Sequence, residues 1–532
     1  MNWNLACPVY EQSGRTPGRL ALAADGVELT YGELVRRAGR LAAALRGHGI
    51  GQGSRVGILG SRSLVAIEAV LGIAWAGAAY VPLGLRWPEE RIAAALAQAG
   101  LDALIVDGRG VGLLTPSLLA ATKLLVLPGD NAARALPAES GAAVLSLDSL
   151  AEPADLSAPA ALSPDDLAYV IFTSGTTGVP KGVMVPAAPV SAYLAALGSR
   201  KAMTPEDRAS QFTELTFDPS LGEILLPWRA GASLHVVPAV SHGSPARFIR
   251  DRRLTIWGSA PSAIAWMRDT RSLQPGLFPS LRYSSFGGEP LPLASVLDWQ
   301  AAAPNSVIDN LYGPTEATVD CAGQRVEPGA TPIVTPGRGV LAIGTPHPGT
   351  ELAVLGPDLR PVPAGTTGEL AIAGSQLTLG YLGAPEVTAR RFPVIGGKRW
   401  YLTGDIGMQD ASGAFHHLGR ADNQIKIHGH RVELEEVEAH MRAVAGTDQV
   451  AAVAWPTADG VARGIVCFVA QSGLPAGRMR EALRNRVPYY MVPSVVHEVA
   501  ALPLNANGKL DRPKLLARLE AGIAEGDASA VA

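Results

Sequence analysis

An α/β fold with largely parallel sheets, followed by a smaller α+β domain, is what this sequence predicts, on three observations. The first is an alternation of apolar strand-like runs with Ala/Leu-rich helical stretches over roughly the first 420 residues. RVGILG from Arg55, then SLVAIEAVLGIAWAG, then AAYVPLG is one such strand–helix–strand unit. The second is a change of style after Asp422. Residues 425–427 read as a short strand, and Leu434, Val437, Met441 and Val444 recur at helical spacing. Strands follow near 450–455 and 464–470, so a separate domain of about a hundred residues is predicted there. The third is scale: 532 residues, 47% of them hydrophobic, supply roughly two to four domains with ample core.

The remaining elements fit that frame. The uncharged run 69–85 is interrupted by Gly72, Gly77 and Pro82, and reads as a buried helix entering a strand rather than a membrane span. Residues 132–159 read as a surface excursion. Residues 351–381 turn β-like with Gly/Pro punctuation, which predicts a small sheet or barrel, and the final AEGDASAVA reads as a frayed tail. The predicted boundaries are 1–421, 422–516 and a tail at 517–532. With 48 acidic and 45 basic residues the net charge is −3, which points to neither nucleic acid nor a membrane as main partner. Cys7, Cys321 and Cys467 are far apart and odd in number, and no basic-then-apolar leader opens the chain. A reduced, cytoplasmic compartment is the expectation.

Residues 167–182, LAYVIFTSGTTGVPKG, carry the strongest chemical signal. A β-branched strand breaks into Thr173, Ser174, Gly175, Thr176, Thr177 and Gly178, with Lys181 close behind. Glycines admit an anion close to the backbone, and amides, hydroxyls and one lysine are the donors phosphate oxygens need. The loop is not a Walker A motif: counting from Gly175, the second glycine position is Pro180, and Lys181 is followed by Gly182. Asn310-Leu-Tyr-Gly-Pro-Thr-Glu316 sets an aromatic, a turn, a hydroxyl and a carboxylate in one loop. There Tyr312 can stack on a base, Thr315 can bond a phosphate or acyl oxygen, and Glu316 can hold Mg²⁺. Tyr401-Leu-Thr-Gly-Asp405 ends a strand on a carboxylate suited to ribose hydroxyls. Gly419 to Lys426 joins the two domains, and Lys509 sits beside an Asn-Gly turn.

In this order, these segments resemble the adenylate-forming superfamily, specifically the amino-acid-activating adenylation domains of nonribosomal peptide synthesis. LTYGEL at Leu29, WAGAAYVPL at Trp75, FDPS at Phe217, GEL at Gly368, GYL at Gly380 and VPYYMVP at Val487 extend the likeness over nearly the whole chain. The resemblance implies a large N-terminal domain of stacked sheets and helices with a small barrel, and a small mobile C-terminal α+β domain. It implies ATP and Mg²⁺ as cofactors, with Thr173, Ser174, Gly175, Thr176, Thr177 and Lys181 covering the phosphates. Gly287, Gly288, Glu289, Asn310, Tyr312 and Gly313 would surround the adenine, Asp405 and Arg420 the ribose, and Glu316 the metal. Asp422 would be the hinge, and Lys509 would reach the substrate carboxylate and α-phosphate, with Thr315 and Glu316 beside it. The chain departs from the family pattern at Gly84, Leu379 and His428, none of them among these residues.

The same resemblance assigns the acyl pocket to Asp218, Pro219, Gly222, Gly258, Ser284, Phe286, Leu311, Val319 and Asp320. Asp218 would pair with a substrate ammonium; an Asp before Pro is also a helix N-cap. The placement of Gly258 and Ser284 depends on a register that a one-residue slip would change. Pro219 beside Asp218 looks like some activators of β-amino acids. Gly222 and Gly258 imply room, and Asp320 can meet a hydroxyl, ring N–H or cation. The expected substrate is a bulky, polar-tipped amino acid. With no condensation or carrier-type segment in the sequence, the expected acceptor is the pantetheine thiol of a separate acyl or peptidyl carrier protein. A small activator protein is a further partner the resemblance allows. The alternatives are an acyl- or aryl-CoA synthetase of the same superfamily, which Asp218 argues against, and a catalytically silent binding paralogue.

Overall fold

The computed structural model describes residues 2–134, 141–152, 156–175, 180–238, 245–427, 429–458, 461–504 and 510–524. Among these residues two large sheets form the body. A nine-stranded sheet has Leu20–Ala24, Ser233–Val236, Arg208–Gln211, Ile256–Ser259, Tyr283–Gly287 and Val307–Tyr312 at its centre. All of these neighbours pair in parallel. An eight-stranded sheet runs from Gly380–Tyr381 through Lys181–Pro186, Leu167–Thr173, Ala79–Leu83, Arg55–Leu59, Ala103–Val106 and Leu124–Leu127 to Ala143–Ser146. Buried side chains of both sheets, such as Leu22, Leu234, Val56 and Tyr169, belong to one core with the helices Tyr31–Gly47 and Leu64–Ala76.

The local sequence accounts for these helices. In LTYGEL, the Thr30 hydroxyl accepts from the Glu33 amide at 3.3 Å, and Glu33 returns a bond from the Thr30 amide at 2.8 Å. That capping box starts Tyr31–Gly47. Ser63 caps Leu64–Ala76, every residue of which from Ala66 onward is buried, and Gly77 ends it at φ 92°. The uncharged run 69–85 is therefore helix followed by the strand Ala79–Leu83, as its interruptions imply.

A five-stranded antiparallel sheet stands where a small sheet or barrel is expected. Gly368–Gly374 pairs with Thr350–Leu355 and with Lys398–Gln409, which in turn pairs with Phe415–Arg420. Beyond Asp422 the chain builds a small lobe with its own core: a hairpin (Gln424–Ile427 with His430–Glu433), the helix Leu434–Ala445 and a three-stranded sheet.

Two expectations need correction. The stretch 132–159 is not excursion throughout, because Ala143–Ser146 adds a parallel edge strand to Leu124–Leu127. Nor does a tail begin at 517: the helix Arg512–Ala524 runs through that point, with Leu515 and Leu519 buried against Val453 and Phe468. No helix among the described residues is long and apolar enough to cross a membrane.

Candidate active site

The carboxyl ends of strands Leu167–Thr173, Ile256–Ser259, Tyr283–Gly287 and Val307–Tyr312 open onto a cavity of about 360 Å³. Ligands in α/β sheets collect at this edge because loops there are free to vary above a rigid scaffold. The cavity wall includes Thr173, Ser174, Asp218, Gly287, Gly288, Gly313, Thr315, Asp405 and Arg420, drawn from segments far apart in the chain.

At one end, ionic groups satisfy one another. Asp405 Oδ2 accepts from the Tyr312 hydroxyl at 2.5 Å, and Oδ1 from Arg420 Nη1 at 2.6 Å. Burial alone would raise this carboxyl, but a hydrogen bond from His417 and the charges of Arg420 and Lys426 hold it well below the usual carboxylate range. Arg420 also grips Asp422, the expected hinge residue, through two bonds at 2.6 and 2.8 Å. Glu316 is 1% exposed and is held by Arg431 Nη1 at 3.0 and 2.9 Å and by the Tyr381 hydroxyl at 2.7 Å. Burial would raise its carboxyl too, and Arg431 and Tyr381 bring it below the ordinary value.

Several expected nucleotide residues lie behind the wall rather than on it. Tyr312 is buried with its hydroxyl on Asp405, and Asn310 donates to the Ala342 carbonyl at 2.8 Å. Glu289 accepts from the amides of Ser262 at 2.9 Å and Gly429 at 2.5 Å, so it joins the two lobes. Lys181 is half-buried near the Tyr381 ring. Gly313 tolerates nothing larger, because an added Cβ would come within 2.4 Å of the Asp320 backbone. Thr176, Thr177, Gly178, His428 and Lys509 lie outside the described residues. The neighbours of Lys509, Leu504 and Leu510, bridge to one another.

The opposite end has unsatisfied groups. Asp218 stands at the N-terminus of the helix Pro219–Ala230, yet its side chain makes no capping bond, and its Oδ2 has no partner among the described residues. Burial pushes this carboxyl up to about 6; Glu316 and Asp320 push the same way, and the Thr315 hydroxyl opposes them. Pro219, Gly222, Gly258, Phe286, Leu311, Val319 and Asp320 also border the cavity.

Two pocket expectations fail. Ser284 faces away, bonded to Ser306 at 2.8 Å, and the alternation of the strand turns Ser285 toward the cavity instead. Gly222 does not leave room for substrate: an added Cβ would lie 2.2 Å from the Tyr193 hydroxyl, so the glycine makes space for that phenol. The Phe286 ring packs edge-on against Trp299, in a buried cluster with Trp257 and Ile308.

The small lobe completes the wall with Gly429, His430 and Arg431. The Ser174 hydroxyl donates to the Arg431 carbonyl at 2.9 Å, and the Gly175 amide to Glu436 Oε2 at 3.0 Å. Arg91 binds the other oxygen of Glu436 at 2.6 Å. Arg91, Gly429, His430, Arg431 and Glu436, with Lys201, Tyr193, Ser285 and Gln376, were not singled out from sequence. Gln376 is fully buried and donates to the carbonyls of Ala317, Thr318 and Asp320. It thereby holds a loop in which Thr318 and Val319 adopt φ values of 54° and 74°. A lone amide or lysine has no local pattern to announce such a task, and Arg431 sits within the second strand of the hairpin, opposite Lys426.

The model of a family described as AMP-binding enzyme matches residues 9–382, more than half of the chain. The chain belongs to that family. It is an enzyme of the adenylate-forming ligase type, and its relatives are nonribosomal peptide synthetases. Enterobactin synthase component F of Escherichia coli (strain K12) is 36% identical over 96% of this chain and 39% of that protein. Tyrocidine synthase 3 of Brevibacillus parabrevis is 33% identical over 95% of this chain and 8% of that protein. The chain thus spans well under half the length of these curated relatives.

Among solved structures, the Vibrio cholerae adenylation domain AlmE in complex with glycyl-adenosine-5'-phosphate aligns at a TM-score of 0.88. It is 29% identical, with 98% of each chain covered. IdnL7 aligns at 0.72 and 31% identity, covering 98% of this chain and 100% of that one. The cavity of this AMP-binding enzyme thus sits within a fold shared along nearly its whole length.

Proposed function

We propose that this enzyme activates an amino acid with ATP as its aminoacyl-adenylate, releasing pyrophosphate, and passes the acyl group to the pantetheine thiol of a carrier protein. The observation that carries the amino-acid part is Asp218: a buried carboxylate on the cavity wall with one oxygen unpartnered, which a substrate ammonium would satisfy.

The other residues divide the work. Thr173 and Ser174 offer hydroxyls to phosphate oxygens at the end of their strand, and Asp405 with Arg420 offers a charged pair to ribose hydroxyls. Thr315, beside Asp218, orients the carboxylate that attacks the α-phosphorus. Glu316, an oxygen ligand now paired with Arg431, would help phosphate oxygens and water hold a magnesium ion once that arginine withdraws. When bound, that ion neutralises charge accumulating on the phosphates. Lys509 supplies a second positive charge to the α-phosphate and the substrate carboxylate. In the arrangement observed, Arg431 engages Glu316 and the hairpin engages Ser174. Nucleotide activation therefore requires the small lobe to turn about Asp422, and the arrangement seen suits the later step, in which the thiol reaches the acyl group.

The substrate reading is a bulky, polar-tipped amino acid, with β-amino acids favoured because Pro219 fixes the backbone beside Asp218. ATP–pyrophosphate exchange across α-amino, β-amino, aryl and fatty acids tests this. Exchange confined to acids lacking an amine would replace it with a CoA-ligase reading. β over α amino acids would support the role given to Pro219.

A further inference from the structure

We propose that Lys201 reads a hydrogen-bond acceptor on the substrate side chain, so that the amino acid activated ends in a carboxamide or carboxylate oxygen rather than a cationic or wholly apolar tip. The proposal rests on the reading that the cavity holds an amino acid with its ammonium at Asp218.

Lys201 closes the helix Ala187–Lys201 and is 7% exposed, yet it is part of the cavity wall. Its ammonium bonds Ser285 Oγ at 3.2 Å and lies 5.4 Å from the centre of the Tyr283 ring. Ser285 stands two residues before Gly287, about 7 Å deeper along the strand than the glycine expected beside the adenine. An ammonium carries three donors, and a buried donor left unmade is costly.

Three acids lie near this lysine; its charge favours the ionised form of Glu223, and all three carboxylates have other hydrogen-bond partners. Asp309 is gripped by Arg200 at 3.0 and 2.8 Å and by the Tyr283 hydroxyl. Asp320 is bonded to His347 at 2.8 Å. Glu223 accepts from the amides of Phe212 and Thr213, both at 2.9 Å, and from the Thr213 hydroxyl at 2.8 Å. Lys201 is thus a buried cation with donor capacity facing a cavity, which a substrate oxygen would take up. The sequence, where only Asp320 was visible, allowed a cationic tip; a cation beside Lys201 would meet like charge in a low-dielectric site.

The test is ATP–pyrophosphate exchange by the full chain and its Lys201→Met variant, using acids of matched length with carboxamide, carboxylate, apolar or ammonium tips. Each tip is offered with and without the α- or β-amine. We expect wild-type kcat/KM for an oxygen-tipped acid to exceed that of the apolar isostere by about 10- to 100-fold, and Lys201→Met to erase that ratio while retaining exchange with the isostere. A wild-type preference for ammonium or apolar tips overturns the proposal, as does an unchanged ranking in Lys201→Met. If that variant does not fold, the wild-type ranking decides together with Lys201→Arg, which keeps the donors and should keep the preference. Exchange confined to acids without an amine defeats the ammonium reading at Asp218, and the tip ranking among those acids still upholds or defeats Lys201.

Discussion

The two ends of the cavity handle buried charge in opposite ways. Where the nucleotide is expected, three carboxylates have cationic partners: Asp405 and Asp422 share Arg420, and Glu316 has Arg431. Where the acyl group is expected, Asp218 has an empty oxygen and Lys201 has donors to spare. Burial of an unmatched charge is expensive, so the first end is stable without ligand but must exchange partners to work. The second is poised for a ligand at the cost of local stability. On the proposed function, catalytic motion would belong to the nucleotide end and specificity to the acyl end.

Substitutions at the two ends should separate these roles. The largest effect is expected for Lys509→Ala, a loss of pyrophosphate exchange of about 10³-fold with an unchanged melting temperature. Near-normal exchange would remove its role. At the acyl end, Asp218→Asn should lower kcat/KM for the amino acid by about 10²-fold while nucleotide affinity, read by titration with AMP, stays the same. An equal loss of AMP affinity would show that the two ends are not independent.

Because the Asp218 carboxyl is pushed up to about 6, its charged, ammonium-binding form is lost as pH falls through that value. Wild-type kcat/KM should therefore drop about tenfold per unit below pH 6. Asp218→Asn should lack that inflection, and a matching inflection in the variant would assign the titration elsewhere.

Arg431→Ala should leave pyrophosphate exchange within about threefold and slow thioester formation about tenfold, since it removes the partner that holds Glu316 in the arrangement proposed for thiol transfer. Slowed exchange with unaffected thioester formation would reverse the assignment. The smallest effect is structural. Gly222→Ala should destabilise by about 1–3 kcal/mol through collision with the Tyr193 hydroxyl. Adding Tyr193→Phe should recover much of that loss in thermal melts; no recovery would mean the clash lies elsewhere.

Much of the architecture was legible because it is written locally. Ala/Leu-rich composition exposed the helix Leu64–Ala76, periodicity the helix Leu434–Ala445, and the Thr30–Glu33 spacing that caps Tyr31–Gly47 lies within one quoted motif. The edge strand Ala143–Ser146 was missed because AVLS is a short apolar run inside a stretch rich in Ala, Glu and Ser. In the pocket, Ser284 and Ser285 are adjacent and chemically identical, and only strand register tells which one faces the cavity.

By itself, the sequence determined the fold class, the family and the identity of Asp218, Glu316 and Asp405, since spaced turns, hydroxyls and carboxylates act through local backbone geometry. Only the tertiary structure decided that one Asp218 oxygen has no partner among the described residues, that Gly222 serves Tyr193, and that Lys201 reaches the cavity from a helix end. The reason is physical: what a buried polar atom can bind depends on which of its partners are already engaged, and those partners lie as far as 84 residues away for Lys201 and 115 for Glu316.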